Sequence, residues 1–216
     1  MKAAIFDAYG TLFDVHSAVR KRADAIGPEA ERVSMLWRVK QLEYSWVHAL
    51  MEDYRDFEEL TRRALSFAIR ECGIDPVHEA PLMDAYRTLD AYPEVRDHLS
   101  QRKAAGIVTG ILSNGSPGML AAAVNSAGIG GDLDHVLSVD AVGTFKTRVE
   151  TYAMVTEATD LSPSQIRFHS SNRWDVAGAA RFGFETVWVN RTEQPDEYPD
   201  HPPGRVVRSL SELEPD

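Results

Sequence analysis

Ala3-Ala4-Ile5-Phe6-Asp7-Ala8-Tyr9-Gly10-Thr11-Leu12-Phe13 places a single acid between an apolar run and a turn. Ala3 to Phe6 is short and unbroken, the pattern of a strand buried on both faces of a parallel sheet, and Gly10-Thr11 signals a turn and a helix start. Asp7 is therefore predicted at the carboxyl end of a strand, where open α/β sheets gather their ligands. Read alone, one strand-end Asp is better explained as a turn cap. The rest of the chain reverses that preference.

A second apolar run, Ile107 to Leu112, starts far beyond the roughly 30 residues that a plain βαβ crossover takes. The excess reads as helix. Phe57, Leu60, Thr61, Ala64, Leu65, Ala68 and Ile69 recur at i, i+3 and i+4 before Gly73, and a longer helix is predicted from about Glu29 to Met51. A helical cap inserted over residues 14–92 follows, with a discontinuous core formed by 1–13 and 93–216. After Pro93 the pattern alternates: strands at 107–112, 136–139, 166–169 and 185–189, and helices to Ala105, at 117–127, near 149–160 and at 174–182. That alternation predicts a doubly wound, mainly parallel, Rossmann-like sheet. Gln194 to Gly204, with four prolines and three acids, reads as a surface loop, and Ser209 to Leu213 as a short final helix.

The 216 residues suffice for one sizeable domain or a core carrying an inserted module. A net charge of −10 without a basic run argues against nucleic acid as a partner. An anionic substrate would need a local cation. Cys72 is the only cysteine, which fits a reducing cytoplasm, the expected compartment, and its bland reading is a small half-buried hydrophobe. The chain opens on a strand, so no signal peptide is expected, and no run of about 18 apolar residues predicts a membrane span. A homodimer is allowed but not required.

Four polar clusters are predicted to meet at the strand ends: Asp7 to Thr11, Ser113 to Ser116, Phe145-Lys146, and Ser170 to Asp175. They bring together a carboxylate, hydroxyls, an ammonium, amides and a second carboxylate. The motif Asp7-Ala8-Tyr9-Gly10-Thr11-Leu12 resembles the first motif of the haloacid dehalogenase superfamily, specifically its L-2-haloacid dehalogenase branch. The resemblance runs from Ala3 to Arg191 and includes Trp37-Arg38, Lys40 to Trp46, Leu112 to Pro117, Leu137 to Asp140, Ser170 to Asn172 and Trp174-Asp175. It implies Asp7 as nucleophile, Arg38 on the cap with Asn114 and Trp174 on the halide side, and Thr11, Tyr9, Ser113, Lys146, Tyr152, Ser170, Asn172 and Asp175 completing the site.

Each role has a physical rationale and a plainer competitor. A planar guanidinium at Arg38 can hold a carboxylate or a halide, while outside its motif it reads as a solvated helix charge. Lys146 would keep Asp7 ionised and oriented. Thr11 serves equally well as a cap, and Trp174 and Tyr152 as packing. The phosphatase branch carries a second Asp where this chain has Tyr9, and paired acids where it has Ser170, Asn172 and Asp175. A halide needs no proton on leaving, a metal would weaken Asp7 as a nucleophile, and the seven histidines show no ligand spacing. No metal or cofactor is expected. Two departures stand out: Thr147-Arg148 where the family has proline after the lysine, predicting a looser loop, and His169 where an aliphatic residue is usual. His169 reads first as a satisfied strand histidine and second as a base. The implied reaction is hydrolytic conversion of short L-2-haloalkanoic acids and water to D-2-hydroxy acids through an ester on Asp7. The alternatives are a metal-dependent phosphatase or a non-catalytic member that binds an anionic metabolite.

Overall fold

The computed structural model describes residues 1–214. Among these, β1 (Ala3–Phe6), β2 (Val108–Ser113), β3 (His135–Ser138), β4 (Ile166–Ser170), β5 (Glu185–Val189) and β6 (Arg205–Val207) form one sheet in the order β3-β2-β1-β4-β5-β6. Every strand pair is parallel, so the sheet is wholly, not mainly, parallel. β1 lies between β2 and β4, and all four of its residues are buried, as a strand covered on both faces requires. Phe6 pairs with Ile111 and His169, and the amide of Asp7 adds one more bond to the His169 carbonyl at 2.9 Å. Asp7 therefore leaves the sheet at its carboxyl edge with its backbone still fixed.

The insertion between β1 and β2 is helical: α1 (Ser17–Arg20), α2 (Ala23–Ile26), α3 (Ala30–Leu50), α4 (Phe57–Glu71) and α5 (Glu79–Arg87). Asp56 caps α4 by accepting from the Glu59 amide at 3.0 Å, and the predicted apolar positions of α4 are buried. The chain enters and leaves the insertion side by side: Phe13 bridges Ala91 antiparallel, Asp14 N donates to Asp90 O at 2.8 Å, and Tyr92 N donates to Leu12 O at 3.0 Å.

Beyond it follow α6 (Val95–Ala104), α7 (Pro117–Ala127), α8 (Val149–Thr159) and α9 (Arg173–Phe182), which cover the sheet. Ser116 caps α7 and Pro117 opens it. The predicted final helix is a single 3-10 turn at Leu210–Glu212. Phe145-Lys146, expected at a strand end, lies beyond one: β3 stops at Ser138, and a 3-10 turn at Val139–Val142 carries the chain on. No helix among the described residues is long and apolar enough to cross a membrane.

Candidate active site

Asp7 is held from both sides. Its Oδ2 accepts from Asn172 Nδ2 at 2.8 Å, Thr11 Oγ1 at 3.0 Å and Ser170 Oγ at 3.5 Å, whereas Oδ1 accepts, among the described residues, from Lys146 Nζ alone, at 3.1 Å. Thr11 is fixed as a donor to Asp7 because its oxygen already accepts from the Ser171 amide at 2.8 Å. The capping alternative for Thr11 thus gives way to a bond across the sheet end. The Asn172 amide joins three groups, with Nδ2 donating to Asp7 and to Tyr9 O at 3.2 Å and Oδ1 accepting from Arg38 Nη2 at 3.1 Å.

Lys146 stands between two carboxylates, 3.1 Å from Asp7 and 2.8 Å from Asp175, with its side chain fully buried. Burial works to lower the Lys146 pKa, yet the charges of Asp175 and Asp7 outweigh it and hold the ammonium above its ordinary value. Asp175 is also fully buried, and burial pushes its pKa up to about 6 against the opposing pull of Lys146. Tyr152 Oη donates to Asp175 Oδ1 at 2.8 Å, so its hydroxyl reaches the site through the second carboxylate. The loop bearing Lys146 has Thr147 where the family has proline. Its Lys146–Thr147 peptide is cis, and the loop is tied by Lys146 N donating to Asn114 Oδ1 at 3.0 Å and by Arg148 N donating to Phe145 O at 3.1 Å.

Arg38 reaches the core from α3. Nη2 donates to Tyr9 O at 3.2 Å as well as to Asn172, and Nη1 donates to Gln41 Oε1 at 2.8 Å. Gln41 is anchored in turn by Thr61 Oγ1 at 2.7 Å and the Tyr86 hydroxyl at 3.1 Å. Sequence reasoning passed over this support, although the i,i+3 spacing of Arg38 and Gln41 was a readable signal. Tyr9 contributes its carbonyl to Arg38, whereas its buried hydroxyl has no hydrogen-bond partner among the described residues and its ring stacks on Tyr86 at 5.6 Å. Ser113 Oγ accepts from the Gly115 amide at 3.0 Å and thereby shapes the turn that carries Asn114.

Trp174 meets Trp46 of α3 edge-to-face at 5.5 Å. Trp174 lines a cleft of about 440 Å³ together with Gly10, His16, Arg38, Leu42 and Asn172. It also lines a groove of about 440 Å³ that includes Trp46, Phe145 and Lys146. His169 stands apart from these groups. Its ring stacks on Phe6 at 4.4 Å, and Nδ1 lies 3.2 Å from the Ile5 carbonyl, which can only accept, so Nδ1 carries the proton. Burial and the neighbouring His98 hold its pKa well below the ordinary value. Among the described residues no group of three or more His, Cys, Asp or Glu side chains is arranged to hold a metal ion.

A parallel sheet, a carboxylate at the end of its central strand and an arginine delivered by a helical insertion define an α/β protein whose inserted helices meet an acid-bearing strand end. The family model of haloacid dehalogenase-like hydrolases matches residues 1–183. The (S)-2-haloacid dehalogenase 4A of Burkholderia cepacia is 45% identical over 217 residues, covering 100% of this chain and 94% of that protein. A crystal structure of a dehalogenase with an intermediate complex superposes with a TM-score of 0.97 at 44% identity, covering 98% of this chain and 95% of the other. The L-2-haloacid dehalogenase of Xanthobacter autotrophicus, solved with chloropropionic acid covalently bound, gives a TM-score of 0.91 at 37% identity over 98% of this chain and 96% of the other. This chain belongs to the haloacid dehalogenase-like hydrolases, in their (S)-2-haloacid dehalogenase branch.

Proposed function

We propose that this protein hydrolyses short L-2-haloalkanoic acids to D-2-hydroxy acids through an ester on Asp7, without a metal ion. The observation that carries the reading is the unequal loading of the two Asp7 oxygens, three donors on Oδ2 and one on Oδ1. A carboxylate oxygen has two lone pairs in the plane, so Oδ1 keeps one for attack on C2 while Oδ2 is fully engaged. Displacement at C2 forms the Asp7–substrate bond as the carbon–halogen bond breaks, with inversion. Positioning the nucleophile replaces a collision with an intramolecular step.

Once Oδ1 is alkylated, Oδ2 is the ester carbonyl oxygen. Its donors Thr11, Asn172 and Ser170 then face the charge that develops when water adds to the carbonyl carbon. Asp175 is the proposed base for that water. Attack at the enzyme's own carbonyl leaves C2 untouched, so the inverted configuration persists in the product. Arg38, Asn114 and Trp174 are the proposed halide and carboxylate contacts, with Tyr9 and Ser113 shaping their surroundings. The ammonium of Lys146 between the two carboxylates supports a metal-free site, because it already balances the charge that a cation would serve. The division into a core of 1–13 and 93–216 and a cap of 14–92 belongs to this reading.

Single turnover of L-2-chloropropionate in water labelled with heavy oxygen tests it, scored by halide release and intact mass. Label should enter Asp7 before it enters product, and Asp7→Asn, nearly isosteric but a poor nucleophile, should abolish release. Label appearing only in product, or inactivation by a chelator reversed by magnesium, would sink the proposal.

A further inference from the structure

We propose that Gly178, within α9, is a positioning residue: its missing side chain makes the space in which the Tyr152 hydroxyl holds Asp175. A Cβ built at Gly178 would lie 2.4 Å from Tyr152 Oη and 3.0 Å from both Cβ and Cγ2 of Thr147. The first distance is far inside contact, and Tyr152 has nowhere to retreat: its ring is wedged among Phe168, Phe182 and Phe184, at centroid distances of 5.9, 6.0 and 6.1 Å. A methyl group at residue 178 therefore displaces the hydroxyl from Asp175 Oδ1, 2.8 Å away, and presses on the residue that follows Lys146. The tyrosine that holds Asp175 and the residue that follows Lys146 thus both meet α9 at this one point.

The choice of residue runs against helix chemistry. Gly178 sits between Ala177 and Ala179 inside α9, where alanine is the best helix former and glycine the poorest after proline. It also takes no left-handed backbone angle that only glycine tolerates, unlike Gly183 at the end of the same helix. Local backbone preference thus favours alanine, and the Tyr152 hydroxyl excludes it.

The inference builds on Asp175 as the proposed base, and its test separates the two. Carboxyl-carbon NMR of the resting protein reads the Asp175 midpoint without turnover. Tyr152 helps hold Asp175 ionised, so losing its hydroxyl raises that midpoint. Tyr152→Phe and Gly178→Ala should raise it alike, and the double variant should go no further. In turnover of L-2-chloropropionate, Gly178→Ala should lower kcat about tenfold or more with KM little changed. In the Tyr152→Phe background the same alanine should cost less than about twofold, because the nearest obstructing atom is gone. A Gly178→Ala midpoint equal to wild type, or effects that add fully in the double variant, overturn the inference. Should Gly178→Ala alone fail to fold, the double variant decides: folding with the Tyr152→Phe midpoint identifies the hydroxyl as the obstacle, and failure to fold refutes it. Absence of halide release by wild type would instead overturn the function while leaving the NMR comparison to judge the contact.

Discussion

At the scale of single residues, the site is governed by how burial divides the work between two carboxylates. Asp7 remains 7% exposed and is ringed by donors, whereas Asp175 has a fully buried side chain, and burial pushes its pKa up to about 6. A base acts only when ionised, so ester hydrolysis should weaken on acidification, with a midpoint below the resting value of about 6 because esterification removes the Asp7 charge that helps to raise it. Asp175→Asn should remove that acid limb and accumulate the alkylated enzyme, visible as added mass after mixing with substrate. Steady-state turnover that survives in Asp175→Asn while His169→Ala traps the ester would transfer the role to His169. The geometry argues against that exchange, because the His169 ring lies on Phe6 with its proton directed at the Ile5 carbonyl.

Among the elements, α3 matters most because it carries Arg38 from the insertion into the core. The guanidinium serves three acceptors, Gln41 on its own helix and Tyr9 and Asn172 opposite, in a fork that only a planar group with several donors satisfies. Arg38→Lys keeps the charge but replaces the fork with one strongly hydrated point, so kcat/KM should fall by about a hundredfold, roughly the loss of one to two charged hydrogen bonds. Near-normal halide release by this variant would place Arg38 outside the reaction. Much of this scaffold was legible in advance. β1, α4, α7 and α9 declare themselves through an unbroken apolar run or a 3.6-residue period with a cap or stop. What escaped has physical reasons. β6 is three residues long, too short for any period, and takes its place by pairing with β5. α5 contains Pro81, which reads as a breaker yet falls in the first turn, where no intrahelical donor is needed. Lys146 was readable as a residue, but its reach depends on the aperiodic stretch after β3, and the exclusion of a side chain at Gly178 depends on a tyrosine from another helix.

Over the whole molecule, the sheet separates two buried polar groups with opposite responses to acid. Asp175 has a raised folded pKa, so its contribution to stability is present in full below its unfolded value and is lost as pH rises through about 6. His169 behaves in reverse. Burial, His98, Arg167 and Arg102 depress its folded pKa, so the unfolded chain takes up the proton first as pH falls below about 6.5. Its contribution is therefore present above that value and is lost progressively toward the depressed folded pKa. His169→Leu removes the titrating ring while keeping an apolar side chain against Phe6, and the lost contact to the Ile5 carbonyl is a change independent of pH. Urea midpoints of wild type and His169→Leu should thus keep a constant offset from pH 8 to 7 and then diverge on acidification. The variant should gain on wild type by at most about 1.4 kcal/mol per pH unit, the limit for one proton. Asp175 titrates identically in both proteins and cancels from the difference. Parallel curves down to pH 5 would mean that His169 accepts its proton in the folded protein, and a charge-accepting histidine beneath β1 would reopen its candidacy as the base.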